Sequence, residues 1–164
     1  MIKHFFALSL GVALPFTLTA APTVHVEPTN LNGPRVLAEQ TQNGVVRDYI
    51  EAWQSFSAAF SQNRADLLDP AFVGTARTKL MDTIHQQAGL GIATHYQDLS
   101  HDLKIVAYSP EGLSIELEDA VEYDVQIVDH DKSLTTQHVK TRYTVVLTPA
   151  ETRWRVRIFQ SQPE

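Results

Sequence analysis

From Leu113 to Val128 the chain alternates between apolar and polar residues. Leu113, Ile115, Leu117, Val121, Tyr123, Val125 and Ile127 share one parity, and Ser114, Glu116, Glu118, Glu122, Asp124 and Gln126 share the other. Period-two alternation of this length predicts a long strand with one buried and one wetted face. Its one break on the apolar side is Asp119, a carboxylate where the pattern calls for a hydrophobe.

Around this strand the pattern predicts three more and, ahead of them, three helices. Val45/Val46, Tyr49, Trp53, Phe56 and Phe60 recur at steps of three or four, which predicts a helix with an aromatic core stripe. Arg64 to Asp69 fits a short second helix closed by Pro70. A third runs over about 75–88, with Ala76, Leu80, Ile84 and Ala88 on one stripe and Gly89 as its stop. The expected strands are His95–Tyr108, the alternating stretch itself, Thr135–Thr148, and a last strand in which Trp154, Val156 and Ile158 alternate with Arg153, Arg155 and Arg157. Ser109-Pro110-Glu111-Gly112, Asp129-His130-Asp131-Lys132 and Pro149 to Thr152 supply the turns. The expected fold is α+β, with three N-terminal helices packed on a curved four-stranded antiparallel sheet.

The N-terminus has the form of an export signal. Lys3 and His4 precede a mostly apolar run from Phe5 to Leu18, followed by small residues at Thr19-Ala20-Ala21. Cleavage is expected after Ala20, because a cut after Ala21 would leave Pro22 at the new terminus. The expected organisation is a signal peptide at 1–21, a flexible linker at 22–42 and one domain at 43–161. The expected compartment is periplasmic or extracellular, with membrane attachment only if the signal stays uncleaved. The chain has no cysteine, so it has neither a lipid-attachment thiol nor a disulfide framework.

The net charge is −6, and removing residues 1–21 removes only Lys3 among the charged residues. This acidity argues against nucleic acid as a partner. Residues 98–131 hold ten acids and one base, whereas 132–164 hold six Lys or Arg and two acids, so acidic and basic strands are expected to neutralise one another across the sheet. Asp98, Asp102 and Glu111 are the acids left over for a cationic partner surface.

The Tyr49-x-x-x-Trp53 helix, Phe72-Val73-Gly74, the Ile92 to Tyr96 lead into long strands, and the Arg142-Tyr143 … Arg153-Trp154-Arg155-Val156 close resemble the NTF2-like (cystatin-like cone) superfamily. The spacing is most similar to the domain at the C-terminal end of cyanobacterial and plastid division proteins. The resemblance spans about residues 43–160. It implies a cone of helices and sheet, used in that superfamily by isomerases, dehydratases, polyketide cyclases and many non-enzymatic binding modules, and sheet-mediated homodimers occur there.

Aligning the first hairpin on its apolar faces sets Ala107 opposite Leu113 and His101 opposite Asp119. The second hairpin, with Ile127 opposite Thr135, sets Asp119 opposite Tyr143. His101, Asp119 and Tyr143 are therefore the candidate catalytic row, a carboxylate orienting an imidazole for acid/base work. Trp53, His95 and Tyr123 are the candidate ligand-pocket residues, His95 because it shares the parity of His101. A bulge in either strand would change this parity. Asp129-His130-Asp131 has metal-like residue types but sits in a turn. There is no His-Glu-x-x-His, glycine-rich phosphate loop or nucleophile elbow, so no metal and no cofactor is expected. The expected role is a non-catalytic binding or assembly module for a small hydrophobic ligand or a protein. The alternative is a cofactor-free lyase, isomerase or hydrolase built on His101 and Asp119.

Overall fold

The computed structural model describes residues 20–31, 33–130 and 132–162, so most of the expected signal segment lies outside the described residues. The chain runs β1 (Thr23–Val26), α1 (Glu39–Gln62), a 3-10 turn (Ala65–Leu68), α2 (Gly74–Gly89), β2 (Ile92–Tyr108), β3 (Ile115–Asp129), β4 (Lys132–Ala150) and β5 (Arg153–Ser161). The five strands form one sheet in the order β1-β2-β3-β4-β5, antiparallel except for the parallel pair β1–β2. Among the described residues no helix is long and apolar enough to cross a membrane.

Four sequence expectations change. The helices number two, because Arg64 to Asp69 is too short for a full α turn sequence and closes as a 3-10 turn. The sheet has a fifth strand, β1, inside the stretch expected to be a flexible linker. Thr23–Val26 aligns with Ser100–Leu103, and the Glu27 N–H donates to the Leu103 carbonyl at 2.8 Å. The first helix also begins earlier, at Glu39. Thr23-Val24-His25-Val26 alternates over only four residues, too short a run to predict a strand alone; the open edge of β2 supplies the partner. The stop after α2 falls at Gly91, whose φ of 73° is the left-handed conformation that glycine tolerates, two residues beyond the expected Gly89.

The core is the stripe of α1 laid on the concave face of the sheet. Val45, Tyr49, Ala52, Trp53, Phe56, Ala59 and Phe60 are buried against Leu103, Ile105, Ile115, Leu117, Val121, Val145, Leu147 and Val156. Side chains tie the helix to the sheet edge: the Ser57 hydroxyl donates to the Tyr96 carbonyl (3.0 Å), and the Asn63 amide to the Ile92 carbonyl (2.8 Å).

Bulges decide which residues face this core. In β2 one lies between Asp98 and Ser100 and another between Ile105 and Ala107; in β5 a third brings Val156 opposite Leu147 but Ile158 opposite Val146. Phe159 therefore turns inward opposite Val145, and Ile158, expected in the core, is 40% exposed. Leu113, expected on the buried face, precedes β3 in the turn and is 62% exposed. Trp154 is only half-buried, whereas Trp53 is 2% exposed.

Gly44 lies within α1 at a point where an added Cβ would meet nothing within 4 Å. Gly44→Ala is expected to raise the unfolding free energy by about 0.5–1 kcal/mol in a urea titration, since alanine lowers the entropy cost of that helical position. A destabilised variant would mean that the start of α1 is not helical in solution.

Candidate functional site

The polar row forms, by a different register from the one expected. The β2–β3 pairing is displaced by two residues, so Leu103 lies opposite Asp119 and His101 opposite Val121. A shift of two preserves the face, and the diagonal neighbours still meet: His101 Nδ1 lies 2.7 Å from Asp119 Oδ2. The β3–β4 register is the one read from the sequence, with Ile127 opposite Thr135 and Asp119 opposite Tyr143.

Two partners of this row were not among the candidates. Tyr49, one turn before Trp53 on α1, donates its hydroxyl to Asp119 Oδ2 at 2.7 Å. Asp98 lies 2.8 Å from His101 Nε2. By strict alternation from His101, Asp98 belongs on the outer face with Asp102; the bulge after it turns it inward. The same bulge turns His95 outward, where it is exposed, and puts Tyr96 in its place. The expectations that His95 lines the site and that Asp98 is a free surface acid are therefore corrected. A signal for the bulge exists in the sequence: the inward residues of β2 are even-numbered at Thr94 and Tyr96 but odd-numbered at His101, Leu103 and Ile105.

A carboxylate faces each ring nitrogen of His101, so both nitrogens donate and the ring is an imidazolium. Burial pulls its pKa down, but the hydrogen bonds it donates to Asp119 and Asp98, with the charges of those carboxylates, outweigh it and push the value up to about 9. His101 and Asp119 are fully enclosed, while the Asp98 side chain retains 20% exposure. Burial first, then the neighbouring Asp119 charge, holds the Tyr49 hydroxyl well above its ordinary range, so it remains a donor. An imidazolium held this way has no free lone pair. It becomes a base only after it has first given up one of its two protons.

The space beside the row is filled by aromatic rings. Trp53 packs at ring-centroid distances of 5.2 Å from His101, 5.3 Å from Phe56, 5.5 Å from Phe159, 5.6 Å from Tyr143 and 5.8 Å from Tyr123. Tyr143 stacks on Phe159 (4.5 Å, 19°) and belongs to this cluster, not to the hydrogen-bonded row. Tyr123 is buried and packs on Tyr96. Trp53 and Tyr123 are thus packed core rings. The Trp53 ring also reaches a cleft of about 370 Å³ between α1 and β2 that ends at Asp98.

A larger groove lies at the other end of α1. It measures about 860 Å³ and runs between Glu39, Asn43, Gly44 and Arg47 on the helix and the β4–β5 turn, with Arg153 and Trp154 on its wall. The buried Asp48 carboxylate shapes it, accepting from the Trp154 N–H (2.7 Å) and from the Arg47 guanidinium (2.9 and 3.0 Å). Arg153 donates to Glu51 at 2.8 Å. Arg153 was expected to help neutralise the acidic strands across the sheet, but it reaches back to the helix instead.

No protein-family model and no curated protein matches this chain. Solved structures do. The intermembrane space region of the chloroplast protein ARC6 superposes with a TM-score of 0.62 at 18% identity, over 80% of this chain and 100% of that one. A scytalone dehydratase candidate from Novosphingobium aromaticivorans gives 0.52 at 11% identity, over 77% and 89%. A candidate dehydratase of the NTF2-like family from Streptomyces avermitilis gives 0.50 at 10% identity, over 74% and 97%. Identities this low speak for architecture alone, and on that they agree with the sheet, the helices and the resemblance read from the sequence: the chain has the NTF2-like fold, with similarity to the ARC6 region.

Proposed function

We propose that this chain is an exported, non-catalytic binding or assembly module that meets a protein partner through the groove between the start of α1 and the β4–β5 turn. The observation that carries the reading is the closure of the His101 cluster: carboxylates hold both ring nitrogens and the Trp53 ring packs against it, which leaves no free nitrogen for a substrate. Two further features support the groove. Its wall offers Trp154 and two arginines, residue types enriched at protein interfaces. Gly44, unexplained by packing within the chain, lets another backbone come close to the helix. The likeness to a region described from an intermembrane space supports the export reading by analogy.

The second reading is a cofactor-free lyase, isomerase or hydrolase in which His101 and Asp119 handle the proton. It is favoured by the 2.7 Å contact between them and by the likeness to the dehydratase candidates.

One experiment tests the groove. Protein recovered by cross-linking from the cell envelope is compared for the unchanged chain, Gly44→Gln, which fills the groove on a helix that tolerates glutamine, and Asp119→Asn. The module reading expects the cross-linked species to disappear with Gly44→Gln and to persist with Asp119→Asn. Persistence in both would remove the groove as the binding face.

A further inference from the structure

Asp98 does more than hold His101. Its Oδ2 faces the imidazolium, but Oδ1 is buried with no hydrogen-bond partner. Two carboxylates flank a single imidazolium, so the cluster keeps one negative charge in excess, and an uncompensated buried charge is costly. Among the described residues Asp98 is also the one charged side chain lining the α1/β2 cleft. Gln54, Ser57, Ser61 and Gln62 from α1 and Gln97 from β2 are neutral, and the Trp53 and Tyr96 rings form apolar walls. A lone carboxylate between aromatic walls is the chemistry that holds an ammonium group.

The chain carries its own candidate. Ala20 and Pro22 line the same cleft. β1 is parallel to β2 with Thr23 beside Ser100, and Ala21 lies in the chain between the two residues that border the cleft with Asp98. Cleavage after Ala20 turns the Ala21 nitrogen from an amide into an ammonium. We propose that this cleft is an ammonium site whose occupant is the α-ammonium of Ala21, released by removal of the export signal and paired with Asp98. The inference rests on the export reading for the cut, and on the geometry of β1, Asp98 and the cleft for the docking. Processing then completes the charge balance of the His101 cluster and clamps β1 to the edge of the sheet.

The described strands and helices lie within residues 23–161, so a chain beginning at Ala21 retains them all. Three chains are compared: one beginning at Ala21, one with a single glycine added before Ala21, and the Ala21 chain carrying Asp98→Asn. Each is treated with an amine-labelling reagent at pH 8, and the terminal peptide is read by mass. The Ala21 amine is expected to label about tenfold more slowly than the terminus of the glycine-extended chain, because a neighbouring carboxylate favours the charged, unreactive form. Asp98→Asn should restore fast labelling. The glycine extension leaves Asp98 and its bond to His101 in place, so it serves even if Asp98→Asn fails to fold. Equal rates in the Ala21 and glycine-extended chains would overturn the ammonium site and leave the export reading standing. The intact mass of envelope-derived protein reads the cut independently: a terminus at Pro22 would overturn the ammonium site alone, and a full-length chain would overturn both.

Discussion

Asp119→Ala is expected to lower the unfolding free energy by on the order of 3–5 kcal/mol, because it leaves the His101 imidazolium and the Tyr49 hydroxyl without their shared acceptor in a dry interior. The pH dependence carries a sharper signature. A folded-state pKa near 9, against about 6.5 in the unfolded chain, stabilises the fold by on the order of 3 kcal/mol. The folded state binds the extra proton, so this contribution is complete below about pH 6.5, declines as pH rises, and is gone above about pH 9. Urea titrations at pH 6 and pH 10 should show the loss, and in Asp119→Asn it should be much smaller. NMR titration of the His101 ring reads the same quantity directly. A ring titrating at its ordinary value, unmoved by Asp119→Asn, would mean that the row is not paired in solution.

Trp53→Ala is expected to cost on the order of 3–5 kcal/mol by the cavity it leaves, since the ring sits at the centre of five aromatic neighbours and is 2% exposed. The variant also tests the functional reading. If the rings are what exclude a ligand, the opened space should admit a small aromatic such as indole, which would recover part of the lost stability in proportion to its concentration. A loss below about 1 kcal/mol in urea would mean that α1 is not seated on the sheet as described. Trp154, half-buried on the groove wall, should cost less on truncation than Trp53.

The chemistry of the site divides between what a carboxylate can reach locally and what the sheet brings to it. Asp119 was visible as the one polar residue on an apolar parity, and its pairing with Tyr143 across β3–β4 followed from matching two apolar faces without a bulge between them and the core. His101 was visible as an imidazole of the same parity in the neighbouring strand. Its true partner across the strand is Val121, yet the pair with Asp119 survives, because displacement by an even number of residues keeps every side chain on its face. Tyr49 was read only as a core ring; its hydroxyl belongs to the row because α1 crosses the concave face at Asp119, a matter of helix placement that no local pattern records.

Periodicity is a property of neighbours along one chain, and it was enough to determine the α1 stripe, the long strands, the buried parity of β3 and a helices-on-sheet architecture with the NTF2-like plan. Bulges, edges and cavities are properties of two or more segments meeting. One extra residue at Leu99 moved His95 out, Tyr96 in and Asp98 onto His101; another at Arg157 exchanged Ile158 for Phe159. The open edge of β2 made a strand of Thr23–Val26, whose alternation is too short to specify one alone. The aromatic rings that read as one stripe on a helix became the filling of the cone only when the curved sheet closed over them. A bulge forms where the packing of both faces gains more than one ladder hydrogen bond is worth, and that balance exists only once the strands, the helix and the core are in place together.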